Sequence, residues 1–514
     1  MGLFTSPIFI VGVALTAIFA FNIYAWTDRR KRYASLQAGP PPIVASKSFG
    51  QLYPPSSYIP TDLYQGLNIV IEMFKAVRKH RFYHWTKEML ENHMHTMELR
   101  MLGTRLVMTD DPDNIKAIQD TQFWAVAKSE EQHQIFKHIL GDAIFAMNGG
   151  QWKREADLYR AHMSRVRDSD FEVTERHILD AFDLLAKDGS DGFDIIDRLQ
   201  LDIVTEIFCG ESTNSLTSDQ QPFRGAMETL QKIASFRQLL GKVGVYLNDA
   251  WIAPRAVKFI DDYQDAFASK AFARTGKSSA RGSDCLIDDL IRKGKQREDI
   301  KNAVTSILLA GKDPSTTTMA FGFYEIARHP HVYARMKAEV EEHIGLDRLP
   351  TMADLQKLTY IKMVIKETLR DHHPLGFNAR VPIKDITLPR GGGADGRSPI
   401  AVLKGTQIIY GLLSLQHRHD LGIEDVDTWR PERWETWKPH SKWEYVPFNH
   451  GPRICIGQQF ANFQMEYFLA RLCQEFESVV LLPESLPQEG LVKLELNTKM
   501  AHPIYARCVR RGSG

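Results

Sequence analysis

The chain has almost no net charge, with 64 lysines and arginines against 63 aspartates and glutamates, a formal +1. That balance leaves no electrostatic footprint for nucleic acid, acidic substrates or a general attraction to anionic lipid, so any charged partner must be met by a local patch. Cysteine is scarce as well. The five in 514 residues, Cys209, Cys285, Cys455, Cys473 and Cys508, are odd in number and far apart. With no C-x-x-C pair and no zinc-type spacing they exclude a disulfide framework and a zinc module, and they fit a reduced compartment. There is no N-x-S/T sequon, in keeping with a cytosolic face. Repeats, low-complexity tracts and long charge runs are missing, and nothing after Tyr64 reads as an interdomain linker. Length alone would suggest two or three domains, but this continuity predicts one large domain. At 43% hydrophobic and 25% charged, the composition is that of an ordinary globular chain with a sizeable core.

One long apolar run is present. From Ile8 to Trp26 the chain is uncharged and mostly apolar, and Asp28, Arg29, Arg30, Lys31 and Arg32 follow. A helix of that length nearly spans a hydrocarbon core of about 30 Å. Tyr24 and Trp26 stand where aromatic side chains favour the interface, and the basic cluster is expected to stay cytoplasmic. The charges follow the run rather than precede it, and the run exceeds the roughly 7 to 15 residues of a signal-peptide core, so a retained anchor is predicted over residues 1–34. The opening Met1-Gly2-Leu3-Phe4-Thr5-Ser6 also fits the permissive myristoylation pattern, which a chain with a spanning helix hardly needs. Gly39-Pro40-Pro41-Pro42 and Tyr53-Pro54-Pro55 are rigid spacers of the kind that separate an anchor from a domain.

Beyond residue 60 apolar residues recur at helical spacing, as in Asp299 to Ala327, Val332 to Ile344 and Ala461 to Phe476. Strand-like pieces are few. The clearest pair is Val381 to Leu388 and Ile400 to Ile409, joined by a glycine-rich connection from Pro389 to Gly396. The fold class expected is mainly α with small β-sheets.

The chemistry concentrates in Phe448-Asn449-His450-Gly451-Pro452-Arg453-Ile454-Cys455-Ile456-Gly457, just before a good helix from Gln458 to Phe476. Glycines on both sides let backbone amides approach the Cys455 sulfur, and the helix points its positive end at it. Both effects favour a thiolate. The other four cysteines read as buried and inert. Three further landmarks occur in order: Ala310-Gly311-Lys312-Asp313 in a long helix, Glu367-Thr368-Leu369-Arg370 with carboxylate and guanidinium on one helix face, and Pro431-Glu432-Arg433-Trp434.

The spacing F-x-x-G-x-R-x-C-x-G resembles the haem signature of the cytochrome P450 family, and the landmarks resemble that family's other motifs. The resemblance covers nearly the whole chain after the anchor and is densest from Ala310 onward. It implies a haem-thiolate fold over residues 35–514, with haem b held at its iron by Cys455 and the cofactor bound by Trp152, Arg380, Phe448, His450, Arg453 and Gly457. It also implies a buried structural network of Glu367, Arg370 and Arg433. Asn378-Ala379-Arg380, Pro389 to Gly393 with Asp395-Gly396, and Gly457-Gln458-Gln459-Phe460-Ala461 look like the fungal membrane-bound branch that hydroxylates alkanes and fatty acids at the chain end.

Two departures stand out. In the family's oxygen-groove helix an acid is followed by an alcohol that relays protons. Here Asp313 is followed by Pro314, with Ser315, Thr316, Thr317 and Thr318 next. Proline lacks the amide that would bond the Ala310 carbonyl, so the helix is expected to open there and to leave Asp313 with a displaced Ser315 or Thr316 as catalytic candidates. The segment Gln151-Trp152-Lys153-Arg154-Glu155-Ala156 resembles the W-x-x-x-R helix but has Ala156 at the arginine position, which Arg154 or Arg160 would have to offset. His84, His93 and His95 read as a solvated face, and His372 and His373 as satisfied side chains.

The resemblance implies an enzyme that inserts one oxygen atom from dioxygen into a lipophilic substrate, in fungal specialised metabolism, at the endoplasmic reticulum membrane. NADPH–cytochrome P450 reductase would supply electrons, with cytochrome b5 as an additional donor, at a basic face that includes Lys153, Arg154 and Arg453. Terminal hydroxylation of fatty acids or alkanes is the first alternative. A reductase-independent haem lyase or isomerase and a non-catalytic haem carrier are the others.

Overall fold

Two periodicities divide the chain, alternation in short segments and three-to-four spacing in long ones, and the computed structural model follows that division. It describes residues 20, 23–25, 27–42, 61–101, 104–218, 220–277, 285–486 and 492–512. They form two compact units, one from the chain up to Glu72 with Glu88–Ala127 and Ala379–Tyr410, the other from Met73–Lys87, Lys128–Asn378 and Gly411 onward.

The first unit is built on strands β1 (Thr96–Met101), β2 (Thr104–Thr109), β3 (Val126–Ala127), β4 (Phe377–Pro382), β5 (Ile386–Gly392), β6 (Ser398–Val402) and β7 (Gln407–Gly411). Five make one sheet in the order β1-β2-β7-β4-β3, while β5 and β6 form a separate antiparallel hairpin. The two strands expected at 381–388 and 400–409 are thus four. Each expected strand breaks at a polar turn, Ile383-Lys384-Asp385 in the first and Lys404-Gly405-Thr406 in the second, and Gly405 has the positive φ of 82° that such a turn favours. The two breaks are tied, since the Asp385 carboxylate accepts the Lys404 N–H at 2.8 Å and also pairs with Arg32. Buried Asn114 stitches sheet to hairpin, donating to Thr96, Thr109 and the Arg390 carbonyl and accepting the Arg390 N–H.

The second unit is helical. Those that carry the argument are α1 (Gly149–Met163), α2 (Gly192–Cys209), α3 (Pro222–Leu239), α4 (Arg297–Ile307), α5 (Asp313–Arg328), α6 (Thr359–Asp371) and α7 (Gln458–Glu475). Every residue of α5 from Ser315 to Ala327 is buried, which marks it as the central helix, since a helix covered on all faces has no polar side to turn to water. Short antiparallel pairs β8 (Phe476–Leu481) with β11 (Ala506–Arg510), and β9 (Val492–Leu494) with β10 (Thr498–Met500), follow α7. The result is mainly helical with small sheets.

Among the described residues no helix is long and apolar enough to cross a membrane. The apolar run from Ile8 to Trp26 lies almost entirely outside the described residues.

Candidate active site

The helix expected from Asp299 onward is not regular. Between α4 and α5, Leu308–Lys312 form a π-helical turn, and Pro314 sits in the first turn of α5. The missing proline amide cannot continue the α ladder to Ala310, and a widened turn absorbs the mismatch. At this turn Ala310 is exposed and Gly311 half-exposed, although the residues around them on the same helix are buried. The small side chains therefore border a space inside the unit.

Cys455 borders a space of the same kind. It is the one exposed cysteine of the five, yet burial pushes its thiol up to about 11 against a single opposing N–H from Gly457. The amide favours the thiolate as expected, but without a ligand at the sulfur desolvation outweighs it. Ionisation then requires a cation brought by a ligand, and a thiol that coordinates a metal gives up its proton. The loop that presents Cys455 turns through Asn449 and Gly451, at φ of 58° and 68°, and closes when the Cys455 N–H donates to the Phe448 carbonyl at 2.9 Å. Gly457 caps α7. The remaining cysteines are buried, and burial raises the thiols of Cys209, Cys285, Cys473 and Cys508.

The structure brings Trp152 and Arg453 together. The Arg453 guanidinium lies 4.6 Å from the centroid of the buried Trp152 ring and donates to the Met147 carbonyl at 2.5 Å. His450 is turned to the backbone, its Nε2 at 2.8 Å from the Lys442 carbonyl. Ala156 is buried against the core, so this position faces protein. Arg160 is exposed and paired with Asp157 on its own helix, and Arg154 is exposed as well. Arg380 belongs to the first unit, where it is buried, donates to the Ala379 carbonyl at 2.7 Å and lies 6.0 Å from the Tyr410 ring centroid. His93 and His95 bind separately, to the Met89 carbonyl and to Asp110.

Of the catalytic candidates, Asp313 does not stand free. Its Oδ1 is 3.0 Å from Lys312 Nζ and its Oδ2 accepts from Gln231 Nε2 at 3.0 Å. Burial works to raise its pKa, but Lys312, Lys499 and Gln231 hold it at about 2. Ser315 and Thr316 are buried. Thr317 donates to the Thr498 carbonyl and Thr318 to the Pro314 carbonyl, whereas the Thr316 hydroxyl has no hydrogen-bond partner among the described residues. Sequence reasoning read Lys312 within its motif but missed that Lys312, Gln231 and Lys499 meet at Asp313. A lysine placed inside an otherwise apolar helix was the available signal, because a buried ammonium demands a partner.

Glu367, Arg370 and Arg433 are joined, all of them buried. Arg370 grips Glu367 through Nε at 3.0 Å and Nη2 at 2.9 Å, and Arg433 Nε reaches the same carboxylate at 2.8 Å.

An accessible thiol on a glycine-bearing loop and a widened small-residue helix turn in the same unit are elements that a haem-thiolate site combines. Residues 63–500 match the family described as Cytochrome P450. The chain is 32% identical over 446 residues to cytochrome P450 monooxygenase pvhE of Talaromyces variabilis, covering 80% of this chain and 82% of that one. It is 31% identical over 471 residues to cytochrome P450 monooxygenase fsdH of Fusarium heterosporum, 87% and 81% of the two chains. With cytochrome P450 52A1 of Candida tropicalis it shares 32% identity over 406 residues, 74% of each. The chain belongs to the cytochrome P450 family. It is a monooxygenase of that family, using haem with cysteine-thiolate ligation and electrons supplied by a reductase. When bound, such a haem activates dioxygen, and the sulfur's electron density favours O–O cleavage.

Proposed function

We propose that this enzyme oxidises a lipophilic specialised metabolite, with Cys455 as iron ligand, Trp152 and Arg453 among the groups that seat the haem, and Thr316 as the hydroxyl that hands on protons. The accessible Cys455 thiol, presented on a loop that turns through Asn449 and Gly451 just ahead of α7, carries the reading. Phe448 and Gly457 fix the ligand loop, and Arg380 and His450 are the further candidates for cofactor contact. Asp313, fully bonded as a carboxylate, accepts and orients, and the unpartnered Thr316 hydroxyl on the next turn is the group with capacity to bond water.

Terminal hydroxylation of a fatty acid or alkane is the second reading, supported by the likeness to cytochrome P450 52A1. Residues 1–34 serve as a single-pass anchor in the endoplasmic reticulum membrane, with the haem domain of residues 35–514 on the cytosolic side. The apolar run with its basic flank supports this placement. NADPH–cytochrome P450 reductase, with cytochrome b5 as an additional donor, is the electron source, and Lys153, Arg154 and Arg453 offer cations for docking.

The test is spectral and then stoichiometric. The ferrous carbon monoxide adduct should show the thiolate Soret band, and Cys455→Ala should abolish it. A type-I spectral screen of metabolites and fatty acids then ranks the two substrate classes. Product formed anaerobically from a hydroperoxide, with no need of NADPH, would overturn the monooxygenase route in favour of a lyase.

A further inference from the structure

The charged cluster beside the π-helical turn has a feature that a set of ion pairs does not need: a neutral amide at its centre. Gln231 of α3 is fully buried, and both ends of its side chain are in use. Nε2 donates to Asp313 Oδ2 at 3.0 Å, and Oε1 accepts from Lys499 Nζ at 3.2 Å. Only one orientation of the amide serves both neighbours, because a carboxylate needs the N–H end and an ammonium the oxygen end. On its far sides the chain continues, with Lys312 Nζ reaching both Asp313 and Asp197, and Lys499 Nζ lying 3.0 Å from Glu495. Asp197, Arg224, Glu228, Lys312, Asp313 and Lys499 line a recess of about 20 Å³, room enough for a water molecule by that measure, for which roughly 10–15 Å³ suffices.

We propose that Gln231 is a positioning residue for Asp313, setting the direction in which that carboxylate faces and so linking the seating of α3 to the start of α5. Lys312 and Gln231 take one oxygen each, so the plane of the carboxylate is fixed from two helices. Remove the amide, and Asp313 Oδ2 and Lys499 Nζ are each left short of a partner beside a recess that admits little more than one water. The shortest repair is for them to pair directly, which turns the carboxylate toward β10. Retention of Gln231 keeps the two charges apart and the Asp313 plane where it is. The proposal rests on the reading that the turn from Asp313 to Thr316 serves proton delivery, but its test does not.

The full chain loaded with haem is reduced and exposed to carbon monoxide, and the infrared C–O stretch is recorded, since that band responds to the field of charges near the bound gas. Gln231→Leu is expected to shift the band by a few wavenumbers and to raise hydrogen–deuterium exchange over residues 308–318, with the thiolate Soret band retained. In an Asp313→Asn background the same substitution should add nothing, the signature of action through Asp313. An unshifted band in Gln231→Leu, or an equal shift with and without Asp313, overturns the proposal. Should the leucine variant fail to hold haem, Gln231→Met takes its place: it keeps the length of the side chain, adds no charge, and is held to the same two criteria. Failure of the proton-delivery reading shows separately, as unchanged peroxide leakage in both Thr316→Val and Ser315→Val.

Discussion

Two buried charge networks lie in the second unit, and they solve the same problem with different side chains. Around Glu367 the cations are arginines. Arg370 adds the carbonyls of Gln416, Val426 and Thr428 to its bidentate grip, and Arg433 adds those of Glu424, Asp425 and Thr428. Trp434 Nε1 and the Arg430 N–H complete the carboxylate. Around Asp313 the cations are lysines, the links are single contacts, and the bridge is an amide. A planar guanidinium with five donors fixes direction, while an ammonium on a four-carbon stem is a point charge that can change partners. The first arrangement suits a permanent clamp. The second suits a place where a carboxylate must keep one orientation and yet be free to exchange contacts.

The sharpest way to break the comparison is to remove one cation from each. Arg370→Met leaves Glu367 short of its bidentate partner and takes the arginine donor from the Gln416 and Val426 carbonyls, while Thr428 keeps Arg433, so unfolding by urea should show a loss of about 3–5 kcal/mol, the usual cost of breaking a buried pair, together with poor haem retention. Near-wild-type stability would remove the clamp from the account.

At the edge of the arginine network two neighbouring histidines titrate in opposite directions. Burial lowers the pKa of both. For His372, Asp371 and Glu325 outweigh it and raise the value, with Nε2 at 3.0 Å from Glu325 and 3.2 Å from Asp371. For His373 burial prevails and pushes it down to about 4, with Nε2 donating to the Val446 carbonyl and Nδ1 accepting the Leu375 N–H. The raised group stabilises the fold fully below its unfolded value and loses that contribution as pH rises through its folded one. The lowered group contributes above an unfolded value of about 6.5 and loses its contribution as pH falls toward its folded value. His373→Asn, which does not titrate, should flatten the fall in stability between those limits by up to about 1.4 kcal/mol per pH unit. An unchanged slope would show that His373 is not held neutral.

Lys312→Met should cost less than the arginine change. Asp313 keeps Gln231 and the field of Lys499, and Asp197 keeps Arg224 at 3.8 Å. A loss of about 1–3 kcal/mol is expected, the scale of a buried group left short of a partner, because each of the two carboxylates that Lys312 touches keeps another. A loss equal to that of Arg370→Met would erase the distinction between clamp and exchangeable lattice.

The two networks also differ in how far the sequence discloses them. Glu367 and Arg370 share a helix face at a spacing that can be read directly, and Arg433 follows from its motif. Asp197, Gln231, Lys312, Asp313, Glu495 and Lys499 come from four separate segments, and no spacing rule joins them. Of these Lys312 and Asp313 were read from their motif, Asp313 as the acid of the relay, but not the neighbours that hold it as a carboxylate. The fourfold split of the strands was hidden for a similar reason, since it depends on Asp385 meeting Lys404 and Arg32 across the fold. Cys455 was legible because a ligand loop is local, but the balance between its one amide and its burial was not.

The smallest effect on stability is expected at the residue assigned the largest part in proton transfer. Most described hydroxyls in these helices bond a carbonyl three or four residues back, as Thr205, Thr305, Thr318 and Thr368 do. Thr316 does not, although it is buried. A buried hydroxyl without a partner is a net cost, so Thr316→Val should leave the unfolding midpoint unchanged or raise stability by up to about 1 kcal/mol. If that hydroxyl instead bonds a water on the proton path, the same variant should divert a larger share of NADPH electrons into hydrogen peroxide while its carbon monoxide spectrum stays as in the parent. Intact stability with leaking electrons fits a hydroxyl kept for chemistry, whereas intact stability with full coupling moves the relay to Ser315, whose valine variant would then have to leak.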